Sequence, residues 1–207
     1  MNITPKTRFR KIPQNFAVEI IERYQVNREL RDTISPVASP AELISDWLNQ
    51  QQFNEVVTLL CHALPAREAI WWGCLCVRMV SNSARNALPA DQQQALEAAE
   101  CWVQEPTEAN RRIAEVRAKK AELECAAGWL AQSVFWSGGS ITPVDAPASP
   151  APDYLYSHAV AGAICLAAVL PDGQRVQTYD YSPTRNQRNA SPDNQFRMEL
   201  ATVGSAR

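Results

Sequence analysis

The run PAREAIWWGCLCVRM at residues 65–79 dictates what the rest of the chain has to do. Its middle, 69–77, holds nine consecutive residues without a charge, with Trp71 and Trp72 adjacent inside it. Wound at about 3.6 residues per turn, such a run is apolar on nearly every side. A helix of that kind is stable only when other helices surround it. The expected fold is therefore all-α. It is a compact bundle of seven to eight helices around two apolar central helices, with a basic extended N-terminal arm and a polar C-terminal tail.

The second central helix is read at 154–170. Ala159, Ala163 and Ala167 recur four residues apart with Gly162 beside them, and small residues at that spacing let another helix come close. It is expected to pack on the helix that carries Trp71. Before the first central helix, Phe16, Ile20 and Tyr24 suit a helix of about three turns. Ser39-Pro40-Ala41-Glu42 supplies a capping box with proline at the first helical position. Leu43, Ile44, Trp47 and Leu48 then form a buried face. Phe53, Val56, Val57, Leu60 and Leu64 line the next helix, which Pro65 stops.

After the centre, Pro89 opens a helix with Leu96, Ala99, Trp102 and Val103, and Thr107 caps the one that follows. That helix, 108–120, is the most charged in the chain. Its thin apolar side, Ile113, Val116 and Ala109, is expected to face inward from the surface. A break is placed at 121–124, before the stripe Leu123, Ala127, Leu130 and Val134, which Trp129 and Trp136 flank. Ser137-Gly138-Gly139-Ser140 stops that helix, since glycine adopts a left-handed cap readily. The proline-rich stretch 143–152 is expected to be an extended crossing. The division is thus an arm (1–15), a helical domain (16–170) and a polar tail (171–207) with a short terminal helix.

Composition excludes several classes. With 207 residues the chain is one domain with tails. A formal charge of −2 argues against nucleic-acid binding, which needs a basic stripe to displace counterions. The N-terminal 31 residues do carry Lys6, Arg8, Arg10, Lys11, Arg23, Arg28 and Arg31 against only Glu19, Glu22 and Glu29. They form either a solvated basic segment or an arm for an acidic partner. No apolar run follows the basic start before Phe16, and 159–170 is too short to span a bilayer. A cytoplasmic protein without a membrane span is expected. All six cysteines sit in apolar helical patterns, where a thiol behaves as a small hydrophobe.

No pattern in the chain assembles catalytic or metal chemistry. Cys74 and Cys76 diverge by about 200° on a helix, and Cys61 and His62 by about 100°, so neither pair shares an ion or a proton. The glycine turn at 138–139 follows a helix, whereas phosphate sites use helix N-termini. No catalytic residue, metal or cofactor is assigned. The informative polar residues are arginines. Arg67 stands near a helix N-terminus against the dipole, at a cost of roughly 0.3–1 kcal/mol, and should have a partner. That partner is an internal carboxylate, with Glu100, Glu105 and Glu108 in range, or an anion brought by a ligand or another protein. Arg78, Arg111 and Arg112 pose the same question. Trp71 and Trp136, with Arg78, are the candidates for a pocket if the chain binds a small molecule.

Four segments, in order, carry a resemblance: LLCHALPAREAIWWGCLCVR (59–78), ALEAAECWVQEPTEANRR (95–112), GWLAQSVFWSGGS (128–140) and SHAVAGAICLAAV (157–169). Together they resemble a bacterial helical domain family of unknown function, over about 43–170. Members of that family often lie near type VI secretion genes. The resemblance implies no activity. It implies an accessory role, as adaptor or chaperone, with a secreted effector or an apparatus component as protein partner. A homo-oligomer through the 108–120 face is a further option. The chain departs from the family pattern at 121–125, where a loop with proline or glycine is expected, and after Pro171.

Overall fold

The computed structural model describes residues 9–83, 88–143 and 145–168. Those residues form nine helices: α1 Val18–Ile21, α2 Arg28–Arg31, α3 Pro40–Asn49, α4 Phe53–Ala63, α5 Ala66–Ser83, α6 Ala90–Gln104, α7 Glu108–Ala121, α8 Ala126–Trp136 and α9 Leu155–Ala167. The only extended pairing among them is an isolated bridge between Ser140 and Pro150. The all-α reading therefore holds. The polar tail at 171–207, with the short terminal helix read in it, lies outside the described residues.

Local signals place most of these boundaries. Ser39 and Glu42 form the reciprocal capping box, with Pro40 at the first helical position. The Thr107 hydroxyl accepts from the Asn110 N–H and starts α7. Gly139 takes φ +64 just beyond α8. The break between α7 and α8 falls at 122–125 without proline or glycine. Glu122 turns the chain instead, at φ 61 and ψ 159, a region that side chains normally avoid. Its carbonyl would lie 2.0 Å from a Cβ at residue 128, so only glycine fits there.

The segment 65–79 behaves as its composition requires. Ala69, Ile70 and Trp72 are fully buried, and Cys74, Cys76 and Val77 nearly so. Trp71 is half-buried against the same core. The close approach of helices occurs at Gly73, where a Cβ would meet Leu130 at 2.5 Å and Val160 at 3.2 Å. Gly162, by contrast, has open space around it. α9 does pack on α5, and Ala159 and Ala163 are fully buried. A third central helix joins these two. α8 touches α5, α6, α7 and α9, and eight of its eleven residues are buried.

Three expectations change. The three-turn helix read from Phe16, Ile20 and Tyr24 is a single turn, α1, and a second single turn, α2, stands apart from it at 28–31. Phe16 is 45% exposed while Ile20, Ile21 and Tyr24 are buried. The Ala17 N–H bonds the Ala38 carbonyl at 2.8 Å, a long-range contact that satisfies a donor the start of α1 leaves without an intrahelical partner. The end of the basic arm is not detached, because Ile12 is buried and Lys11 meets Glu68 at 2.7 Å. The proline-rich stretch doubles back rather than crossing extended. The Ile141 N–H bonds the Ser149 carbonyl and the Thr142 hydroxyl bonds the Pro147 carbonyl, both at 2.8 Å.

Candidate functional site

α7 is the helix on which sequence and structure diverge most, and it is the candidate site. Thr107 caps its start, Glu108 lies in the first turn, and Lys119 and Lys120 lie in the last. That order matches the helix dipole. The face turned to the protein carries Arg111, Ala114 and Ala118. Ile113 and Val116, read as the inward side, are 50% and 52% exposed, and Leu123 in the following turn is 41% exposed. Ala109 is also on the outside.

Hydrogen bonding explains the reversal. Arg111 is only 3% exposed. It donates from Nε and Nη2 to Glu108, from Nη1 to the Phe135 carbonyl at 2.6 Å, and from Nη2 to the Ser140 carbonyl at 2.9 Å. The Phe135 carbonyl belongs to the last turn of α8, which has no intrahelical partner. The guanidinium also lies 5.0 Å from the Phe135 ring centroid. Arg112 donates to Glu108, Glu115, Ser140 and Thr142. The two arginines thereby hold the SGGS turn, and the Arg111 guanidinium sits about where a Cβ on Gly139 would press, at 3.0 Å. Arg111 first, then Arg112, draws the Glu108 carboxyl down to about 2.

Arg67, Arg78 and Arg23 are also engaged within the chain. Arg67 meets no carboxylate among the described residues. Its Nε donates to the Val103 carbonyl at 2.7 Å and its Nη2 to the Gln104 carbonyl at 3.3 Å, at the C-terminal end of α6. Arg78 makes a two-pronged bond to Glu100, both arms at 2.7 Å, and reaches Gln93 at 3.1 Å. Arg23 donates to the His62 carbonyl at 2.6 Å, again at a helix end. Arg23, Arg67 and Arg111 thus share one role: each closes the carbonyls at the C-terminus of a neighbouring helix. The pocket candidates lie against neighbours as well, Trp71 on the core and Trp136 edge-to-face with Trp129 at 6.2 Å.

One cluster has no precursor in the sequence reading. His62 and His158, the chain's two histidines, meet edge-to-face with centroids 4.5 Å apart. Tyr24 lies on His62 at 4.5 Å, and Arg23 covers the Tyr154 ring at 4.8 Å. His62 is fully buried, and its Nδ1 lies 2.8 Å from the Thr58 carbonyl. Burial pushes its imidazole down to about 4, with His158 and Arg23 adding to the shift. Burial likewise drives the Tyr24 phenol far up. No group of three or more metal-binding side chains comes together among the described residues. Cys101, read as a small core hydrophobe, is exposed.

The family model described as "Family of unknown function (DUF6931)" matches residues 43–181, about two-thirds of the chain. No curated protein and no solved structure matches it.

Proposed function

This chain belongs to the Family of unknown function (DUF6931), and from that premise we propose that it is a non-enzymatic interaction protein. Its setting is the cytoplasm, where it serves a bacterial type VI secretion system as an adaptor or chaperone-like accessory. The observation that carries the interaction role is the outward placement of Ile113 and Val116 on α7, half-exposed while alanines fill the helix's inner face. An amphipathic surface helix ordinarily turns its larger apolar residues to the core, and α7 does the opposite. The secretion assignment rests on the family resemblance. Among the described residues no helix is long and apolar enough to cross a membrane.

The test is affinity purification of the tagged full-length chain from its source bacterium. The expected result is co-purification of a secreted effector or an apparatus component. An Ile113→Glu/Val116→Glu variant with an unchanged melting temperature should lose it. A chain that emerges alone in both forms refutes the reading.

A further inference from the structure

The outward residues of α7 fall into a register. Ala109, Ile113, Val116 and Lys120 are spaced four, three and four apart, the alternation of a heptad seam. The register ends there, because the helix stops at Ala121 and Glu122 turns the chain out of it at φ 61 and ψ 159. Arg111, Ala114 and Ala118, which face the protein's own core, stand on the opposite side. At about 1.5 Å per residue the 14-residue helix presents a seam of about 21 Å.

The positions beside this seam are cationic. Setting Ile113 and Lys120 as the first positions of their heptads places Arg112, Arg117 and Lys119 in the flanking positions, which choose the partner by charge. Arg112 is spent on Glu108, Glu115 and the Ser140 and Thr142 carbonyls, which leaves Arg117 and Lys119 for that task. Lys120 is in the seam itself and has no ion-pair partner among the described residues. Arg117, Lys119 and Lys120 therefore make the outer face cationic, since Glu108 is taken by Arg111 and Arg112 and Glu115 by Arg112 and Lys119. Glu122 and Glu124 follow only in the turn beyond the helix. A second copy docked in parallel would set Arg112 against Arg117. Docked antiparallel, it would set Arg117 against Arg117. Both arrangements oppose like charges.

We propose that α7 is one strand of a short two-helix coiled coil, completed by a partner helix with acidic flanking positions. The apolar teeth of that helix fit Ile113 and Val116, and one of its carboxylates answers Lys120. This rests on the reading of the chain as an interaction protein and names the class of partner segment.

The experiment places p-benzoylphenylalanine at Val116 of the full-length chain in the source bacterium and maps the photoadduct by mass spectrometry. The expected adduct is a segment of another protein with apolar residues three and four apart and Asp or Glu beside them. Lys119→Glu/Lys120→Glu, folded by circular dichroism, should cut adduct yield by about tenfold or more. Adducts with a second copy, with a segment lacking acidic residues, or with no protein overturn the proposal. So does an unchanged yield in the charge-reversed variant. The same probe at Val37, which is 72% exposed, separates the two readings. A partner captured there and not at Val116 leaves the accessory role standing and removes this one.

Discussion

α5 and α7 lie in the same domain and follow opposite rules. In α5 the largest apolar groups go inward, with Ile70 and Trp72 fully buried. In α7 alanines go inward and isoleucine goes out. The difference is the demand for hydrogen bonds. The buried stretch of α5 carries no charged side chain, so hydrophobic transfer alone orients it. α7 carries Arg111, whose donors meet two carbonyls on and after α8. Leaving such carbonyls buried and bare costs about 1–3 kcal/mol each. Half-exposing Ile113 and Val116 gives up on the order of 1 kcal/mol each. The arginine therefore decides which face turns inward.

The sharpest way to break this comparison is on the α5 side. Trp72→Ala should cost about 4 kcal/mol by denaturant unfolding, the range for emptying a filled aromatic site. A loss below about 1 kcal/mol would show that α5 is not enclosed. The next effect reports on the seam between α4 and α9. His62 has its folded value lowered to about 4 from 6.5, so the unfolded chain takes up the proton first. Its contribution is complete above about pH 6.5 and falls away as pH drops towards 4. The loss is at most about 3 kcal/mol. Stability measured against pH in wild type and His62→Gln should diverge across that window, with the variant flatter.

Arg111→Met tests the other half of the comparison. It keeps most of the volume and removes the donors, and should cost about 2 kcal/mol. It should also loosen the turn at Ser140, seen as faster amide exchange there. The smallest effect sharpens the contrast most. Ile113→Ser and Val116→Ser should each change stability by no more than about 0.5 kcal/mol. Losses as large as that of Trp72→Ala would mean that these residues are packed.

Much of this was readable in the chain. The capping residues Ser39 and Thr107, the stops at Pro65 and Gly139, and the burial of Trp72 follow from local chemistry written in neighbouring residues. The match to residues 43–181 also bears out the resemblance read from the tryptophan-rich and SGGS segments. What escaped reading shares one property. Arg67 bonds the α6 carbonyls, Arg111 the Phe135 carbonyl, and Arg23 the His62 carbonyl. Backbone acceptors are the same at every residue and leave no mark in a sequence. Carboxylate partners do meet Arg78, at Glu100, and Arg111 and Arg112, at Glu108, but Arg67 and the Phe135 carbonyl under Arg111 escape such a reading, and the face of α7 was misjudged with them. His62 and His158 stand 96 positions apart, and only the packing of α4 on α9 brings them together.

The start of the family match at residue 43 cuts through the body of the protein. Ile12, Ala17, Ile20, Ile21 and Tyr24 precede it, yet all are buried, and Tyr24 is laid on His62. A fragment trimmed to the shared portion would bare an oily trough along α4 and hand His62 to the solvent. The matched stretch and the packed body of this chain thus begin at different residues, and any recombinant version should be cut by the second.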